Sequence, residues 1–496
     1  MKLTQYFFLI IYISITLWGC SSSKEIPVAR LTNLQKQIDS IFNDERFVNA
    51  HIGAIIKTMS SNKVLYERNA HKLFMPASNQ KILTASAALI KLGADFRFRT
   101  ILSKSGSIKD SIIDGDVIVF GDGDPTLYSR FYKTPEEAFR NWAKLLKQKG
   151  IKTISGNIIG DDNAFDDIAI GNGWSHDELD VWYSAEVSAL QFNENYVDLT
   201  IVPPSDNETK CAIIPNVQSS YFNLIDSINI SDTKKPFINV TREYGTNDIV
   251  ISGNVKKNSA KIYRSPSITN PTKFYVTVLK EVFEAEEIKV LGKALDCDEI
   301  KNWNHKPKDF TPIDTLYSPY LNDILKGMMK RSQNLYAETL VKTLGYNFLG
   351  KGTFENGRKI VNEVLTGIGI NSDDYAYLDG SGLSRYNYVT PAQIVTILEW
   401  MNTSSLSKAW HDLLPVAGVD GTLSGRMKNS KAENNVHAKT GTISNVRGLS
   451  GYVTTSAGDD IVFSFLINSH LQSTKATEDI TDSILQILAE YNFKIN

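Results

Sequence analysis

Lys439-Thr440-Gly441-Thr442, followed by the β-type run Val446 to Thr454, decides the reading of this chain. It holds the single Lys-Thr-Gly in 496 residues. The alternation of the run after it fits a strand beside a cleft. A substrate peptide can pair with the free edge of such a strand. Gly441 is expected to leave room for that peptide. Lys439 and the Thr440 and Thr442 hydroxyls suit a terminal carboxylate, and the Thr442 backbone N–H suits an oxyanion.

Two earlier stretches supply the rest of an acyl-transfer site. In Ser78-Asn79-Gln80-Lys81 the outer residues are one helical turn apart and share a face, so Lys81 reaches the Ser78 hydroxyl. Serine is a weak nucleophile until a base takes its proton. Lysine serves as that base only when burial or a second cation lowers its pKa, and Lys439 is a candidate for the cation. Pro76 sets Ser78 at a helix start, where its own backbone N–H can face the attacked carbonyl. In Ser332-Gln333-Asn334 a hydroxyl can relay a proton to the leaving amine, and an amide can bind substrate. Serine and asparagine are also ordinary helix caps. Ser-x-x-Lys recurs from Ser21, Ser60, Ser231 and Ser405, so order and context carry the argument.

Composition excludes several other classes. A chain of 496 residues predicts two or three domains. A net charge of −2 without a basic run leaves no footprint for nucleic acid. The seven histidines are scattered, without His-Glu-x-x-His or paired Cys-x-x-Cys, so a zinc enzyme is not expected, and the acyl-transfer site read above implies no metal or organic cofactor. At the N-terminus, Phe7 to Leu17 is mostly apolar and too short to span a bilayer. Leu17-Trp18-Gly19-Cys20 then resembles a bacterial lipobox. It predicts lipid on Cys20 and a short tether to Pro27; a plain secretory signal or an uncleaved anchor is the alternative. In an exported chain Cys211 and Cys297 can pair or remain two free thiols, and sequence leaves both open.

Periodicity places these stretches. Leu31, Leu34, Ile38, Ile41 and Phe42 repeat at helical spacing. His51 to Met59 and Lys63 to Arg68 read as paired strands. The helix bearing Ser78 and Lys81 ends at Gly93. From Phe96 to Tyr275 the chain reads as short β runs, among them Asp116 to Phe120, Ile154 to Ile159, Tyr196 to Val202 and Asp248 to Ile251. Helices are expected at Pro135 to Lys149 and Pro271 to Ala285. Ser332 falls at a junction between two helices. Val446 to Thr454 and Ile461 to Asn468 form a hairpin turned at Ala457-Gly458-Asp459, and a last helix carries Ile480, Ile484 and Leu488. One sheet is therefore expected from both chain ends, with the β-rich middle inserted into it.

The arrangement resembles the D-alanyl-D-alanine carboxypeptidase/endopeptidases of peptidase family S13, the low-molecular-mass class C penicillin-binding proteins. Beyond the three motifs, it rests on Gly121-Asp122-Gly123-Asp124-Pro125, Phe192-Asn193-Glu194-Asn195, Asp379-Gly380-Ser381-Gly382-Leu383-Ser384 and Leu414 to Leu423. The resemblance implies an α+β fold, with a transpeptidase/β-lactamase-like domain interrupted by two β-rich inserted domains. The implied division is 1–27 signal and tether, 28–94 and 302–496 catalytic, 95–186 and 249–301 first insertion, and 187–248 second insertion nested in the first. The gap of 254 positions between Ser78 and Ser332 (332 − 78) suits two insertions, where a serine β-lactamase has only a short helical segment.

The resemblance also implies roles. Ser78 is the acylated nucleophile, Lys81 its base, Ser332 the relay and Asn334 a substrate ligand. Lys439, Thr440 and Thr442 hold the D-alanine carboxylate beside Gly441, and the oxyanion hole is the backbone N–H of Ser78 and of Thr442. Gln333 stands where relatives often carry aspartate or another small polar residue, and its side chain is expected to point away from substrate. Relatives that bind diaminopimelate use an acidic residue of the first insertion, a place that Asp177 or Glu178 can fill. Asp379 and Ser381 are expected in a tight turn against the helices. The implied partners are peptidoglycan stem peptides, β-lactams as acylating inhibitors, and a membrane through the lipid anchor, in the periplasm of a bacterium. A β-lactamase or D-amino-acid esterase on the same scaffold, and a non-catalytic envelope lipoprotein, are the competing readings.

Overall fold

The computed structural model describes residues 28–232, 235–492 and 494. Cys20 and the segment read as a signal lie outside them. The central element is a five-stranded antiparallel sheet assembled from both chain ends. Its strands are β1 (His51–Thr58), β2 (Val64–Arg68), β3 (His437–Ile443), β4 (Val446–Thr454) and β5 (Asp460–Asn468), in the spatial order β3-β4-β5-β1-β2.

Strand alternation divides the core between the two faces of this sheet. Ile52, Ala54 and Ile56 of β1 pack with Leu34, Ile38 and Phe42 of helix α1 (Val28–Phe42). Ile480, Ile484 and Leu488 of the C-terminal helix join the same cluster. Ile55, Val462 and Leu466 point the other way, towards helix α2 (Gln80–Leu92). Every residue of α2 from Gln80 to Leu89 is buried, and Gly93 ends it at φ 83°, where the N–H donates to the Leu89 carbonyl. Helices α3 (Leu321–Arg331) and α4 (Asn334–Leu349) complete this side, with Ser332-Gln333 as their junction.

The middle of the chain leaves and re-enters through neighbouring strands. Arg99–Lys104 pairs antiparallel with Thr311–Tyr317, from Arg99 opposite Tyr317 to Lys104 opposite Thr311. Both belong to a five-stranded sheet of the insertion. This closure brings α2 and α3 side by side although more than two hundred residues separate them.

Strand pairing crosses the expected boundaries at 248 and 301. Asp248–Val255 pairs with Asn223–Ile230 and Phe237–Arg242, and Ile262–Arg264 pairs with Leu199–Val202. The two small sheets therefore run past 248 to Arg264, and Thr311–Tyr317 shares a sheet with Arg99–Lys104. The expected strand Ile154 to Ile159 is two strands in different sheets, Thr153–Ile154 and Ile158–Asp161. The break falls at Gly156, where a Cβ would lie 2.6 Å from the Gly115 carbonyl group. Tyr196 to Val202 begins as a strand only at Leu199. Cys211 and Cys297 are both free thiols.

Candidate active site

The chain enters α2 through a 3-10 turn, Ala77–Asn79, that sets Ser78 at the mouth of a cavity. Ala77 has φ 46°, an unfavourable conformation for a residue with a Cβ. It persists because both sides of the turn are packed. A Cβ on Gly382 would fall 1.8 Å from the Ala77 carbonyl oxygen, and one on Gly441 would fall 2.7 Å from that of Pro76. The two middle residues of the Ser-x-x-Lys motif are also engaged. Asn79 Nδ2 donates to Ser450 Oγ of β4 at 2.9 Å, and Gln80 Nε2 donates to the Asp379 carbonyl at 3.4 Å.

Lys81 is fully buried beneath Ser78. Its Nζ lies 2.9 Å from Ser78 Oγ, 2.6 Å from Asn334 Oδ1 and 2.8 Å from the Ser381 carbonyl oxygen. The two carbonyl-type oxygens accept only. A neutral amine has two N–H bonds, so both are used there, and its lone pair is left facing the Ser78 hydroxyl. Burial lowers the Lys81 pKa to about 7, against the opposing pull of Glu338 and Asp379. The neutral amine is thus available near neutral pH.

Asn334 is held from behind. Its Nδ2 donates to the Tyr183 carbonyl at 2.8 Å, which fixes the amide so that Oδ1 faces Lys81. Both ends of an amide expected to bind substrate are thus engaged within the protein, although Asn334 still lines the cavity. Ser332 takes a left-handed φ of 60°, and its Oγ accepts from Lys439 Nζ at 3.0 Å. The direct Ser332–Lys81 contact implied by a relay from Lys81 does not occur among the hydrogen bonds of the described residues.

Lys439 is also fully buried, and it spends a second N–H on the Thr440 carbonyl at 2.8 Å. Burial and then the charge of Lys81 hold its pKa well below the ordinary lysine range. For Lys81 desolvation dominates, and no second cation is needed to lower its pKa. Gly441 also faces a close approach that its sequence does not show. It leaves room for the nucleophile turn, because its Cβ would lie 3.2 Å from the Ser78 nitrogen and 3.1 Å from that of Asn79.

Ser78, Ser332, Asn334, Thr440, Gly441 and Thr442 line one cavity of about 570 Å³, and Lys81 and Lys439 lie behind its wall. Glu178, Trp182 and Tyr183 of the insertion form part of the opposite wall, and Asp177 is exposed. Thr440 Oγ1 donates to Thr422 Oγ1 at 2.7 Å, so Thr422 joins this hydroxyl group. Gln333 turns away from the cavity, donating its amide N–H to Glu194.

Asp379 and Ser381 sit in a buried turn as expected, but the turn reaches the site through its backbone. The Asp379 carboxylate accepts from the Gly382 and Ser384 N–H groups at 2.8 and 2.6 Å, from Asn387 Nδ2 at 2.6 Å and from Trp174 Nε1 at 2.9 Å. Glu338 accepts from the Gly380 and Ser381 N–H groups, both at 2.8 Å. The Ser381 carbonyl is thereby aimed at Lys81. Burial and the neighbouring Asp379 charge push the Glu338 pKa up. Glu338 lies one helical turn after Asn334, a spacing visible in sequence, but nothing in sequence marks its partner.

The sequence profile of the D-Ala-D-Ala carboxypeptidase 3 (S13) family matches residues 34–491. The chain is 31% identical over 493 residues to a D-alanyl-D-alanine carboxypeptidase of Actinomadura sp. (strain R39), covering 96% of this chain and 88% of the relative. Among solved structures, penicillin binding protein 4 (dacB) from Haemophilus influenzae superposes with a TM-score of 0.80 at 26% identity, over 92% of this chain and 99% of the other. The same Haemophilus protein complexed with a β-lactam gives a TM-score of 0.74 at 24% identity, over 92% and 100%. With a family match over nearly the whole length, the chain belongs to the D-Ala-D-Ala carboxypeptidase 3 (S13) family.

Proposed function

We propose that this chain is a serine DD-peptidase that cleaves D-alanyl bonds of peptidoglycan stem peptides through an ester on Ser78. The observation that carries the reading is the hydrogen-bond count at Lys81, whose lone pair faces Ser78 when both N–H bonds are used. Ser78 Oγ attacks the D-alanyl carbonyl as Lys81 takes the hydroxyl proton. The developing oxyanion meets the backbone N–H groups of Ser78 and Thr442. Ser332, backed by Lys439, hands its hydroxyl proton to the leaving amine and regains one from Lys81 through cavity water, so Lys81 is neutral again for the next step. Thr440 and Thr442 hold the leaving residue's carboxylate, with Lys439 supporting them from behind rather than touching it. Water then hydrolyses the ester, with Lys81 again the base. A β-lactam offers its strained amide to the same hydroxyl, and the ester it leaves persists.

Glu178, half-buried on the cavity wall, is our choice over Asp177 for the acidic group that receives the stem-peptide side chain. The domain division we propose follows the strand pairing: 28–98 and 318–492 catalytic, 99–195 and 265–317 the first insertion, 196–264 the nested one. The N-terminal segment is read as an export signal with lipid on Cys20, tethering the enzyme in the periplasm. Loss of radiolabelled palmitate incorporation in Cys20→Ala tests the anchor.

Fluorescent penicillin tests the mechanism. Wild type is expected to label at a peptide containing Ser78, and Ser78→Ala is expected not to label. Equal labelling of the two sinks the serine mechanism. Mass spectrometry of digested muropeptides then separates the two activities. Monomers lacking one D-alanine report a carboxypeptidase, and loss of dimers reports an endopeptidase.

A further inference from the structure

Asn193, Glu194 and Asn195 are three consecutive residues with left-handed φ angles of 53°, 51° and 57°. Such a conformation is unfavourable for L-residues and persists only where the surroundings over-determine it. All three are buried. Asn193 Nδ2 donates to the Tyr196 carbonyl, and Asn195 Nδ2 donates to the Glu186 carbonyl, so the turn is braced from within.

The product of this strained turn is one carboxylate facing five donors. Glu194 accepts from Arg130 Nε at 2.8 Å and Nη2 at 2.9 Å, and from Tyr196 Oη at 2.6 Å. It also accepts from Tyr336 Oη at 2.7 Å and Gln333 Nε2 at 2.5 Å. The last two belong to the catalytic part. Gln333 is the residue between Ser332 and Asn334. Asn334 in turn donates to Tyr183 of the same inserted chain. The insertion therefore grips both residues that follow Ser332, Gln333 from the side away from the cavity and Asn334 at the cavity wall.

We propose that Glu194 is a positioning residue for acyl transfer: through Gln333 it holds Ser332 at Lys439 and Asn334 at Lys81. The proposal rests on the serine-peptidase reading of the site. Glu194 touches neither Ser78 nor the cavity, so its influence passes through the α3–α4 junction alone. Ser332 is in a left-handed conformation at that junction, and its hydroxyl must stay near Lys439 for proton transfer. The carboxylate accepts all five bonds, and the Arg130 guanidinium, which can only donate, fixes that choice. The amide of a glutamine would turn N–H bonds towards other N–H or O–H bonds.

The test is stopped-flow acylation by a chromogenic β-lactam, with the rate constant for acylation separated from the dissociation constant of the initial complex. Glu194→Gln and Gln333→Leu are each expected to slow acylation by about 10–100-fold, the cost of a small misplacement of reacting groups. Initial binding stays within about threefold, because neither substituted residue lines the cavity. The double variant is expected to be no slower than the slower single, since both remove one coupling. A Gln333→Leu protein that acylates within about twofold of wild type overturns the proposal. So does a loss that appears only in melting temperature. If Glu194→Gln does not fold, Gln333→Leu decides alone, because it leaves the Arg130–Glu194 pair in place. Wild type that fails to label at Ser78 overturns the serine reading and this proposal together. Labelling of wild type with unimpaired Gln333→Leu overturns this proposal only.

Discussion

In the proposed mechanism the chemistry turns on Lys81, and its titration gives a signed prediction. Burial lowers its pKa to about 7, and only the neutral form can take the Ser78 proton. Acylation by a β-lactam is therefore expected to rise with pH through about 7 and then level, measured as rate constant against pH. Lys81→Met removes the base and is expected to lower acylation by about 10²–10⁴-fold. Stability carries the same sign. From about 7 up to the unperturbed lysine value the unfolded chain binds a proton that the folded chain does not, so this residue's burden on stability is full below about 7 and eases as pH rises. Gly441→Ala is the second residue-scale case. Its Cβ would meet the Pro76 carbonyl at 2.7 Å, with backbone on both sides and nothing flexible to yield. We expect a loss of about 1–3 kcal/mol in urea unfolding and slower acylation, because the nucleophile turn must shift.

At the scale of elements, the turn from Asp379 to Ser384 controls the lysine through its main chain. One buried carboxylate, Asp379, organises two backbone N–H groups, an asparagine and a tryptophan. Asp379→Ala leaves those donors unsatisfied and is expected to cost about 2–4 kcal/mol by urea unfolding. Acylation is expected to slow as well, since the Ser381 carbonyl loses its aim at Lys81. The existence of this turn was legible from its glycines and serines. Its importance was not, because the contact that matters is a main-chain oxygen, which every residue has. Helix α2 was similarly legible by its apolar stripe and by Gly93. The split of Ile154 to Ile159 into two sheets was not, because a β-type run does not say that backbone will crowd Gly156.

For the whole molecule, the insertion both closes on itself and reaches back into the catalytic part. Lys342 is a contact of this kind away from the chemistry. Its buried Nζ donates to the Asp166 carboxylate at 2.7 Å and to the Ile168 carbonyl at 2.7 Å. Lys342→Met is expected to lower stability by about 1–3 kcal/mol while acylation by the folded protein stays within about twofold, the opposite pattern to Gln333→Leu. Thermal melts and stopped-flow acylation on one preparation distinguish them. The sequence by itself determined the chemistry on offer: a serine and lysine one turn apart, a hydroxyl and amide at a helix junction, a lysine and threonines on a strand. It also determined a sheet from both chain ends, because periodicity and turn chemistry act over a few residues. Tertiary structure alone decided which of these groups meet. It placed Lys439 Nζ against Ser332 Oγ, engaged both ends of the Asn334 amide, and set Gly441 against the turn that carries Ser78. It also set Lys81 near neutrality, because desolvation depends on what surrounds a side chain in space, and those surroundings come from positions hundreds of residues away.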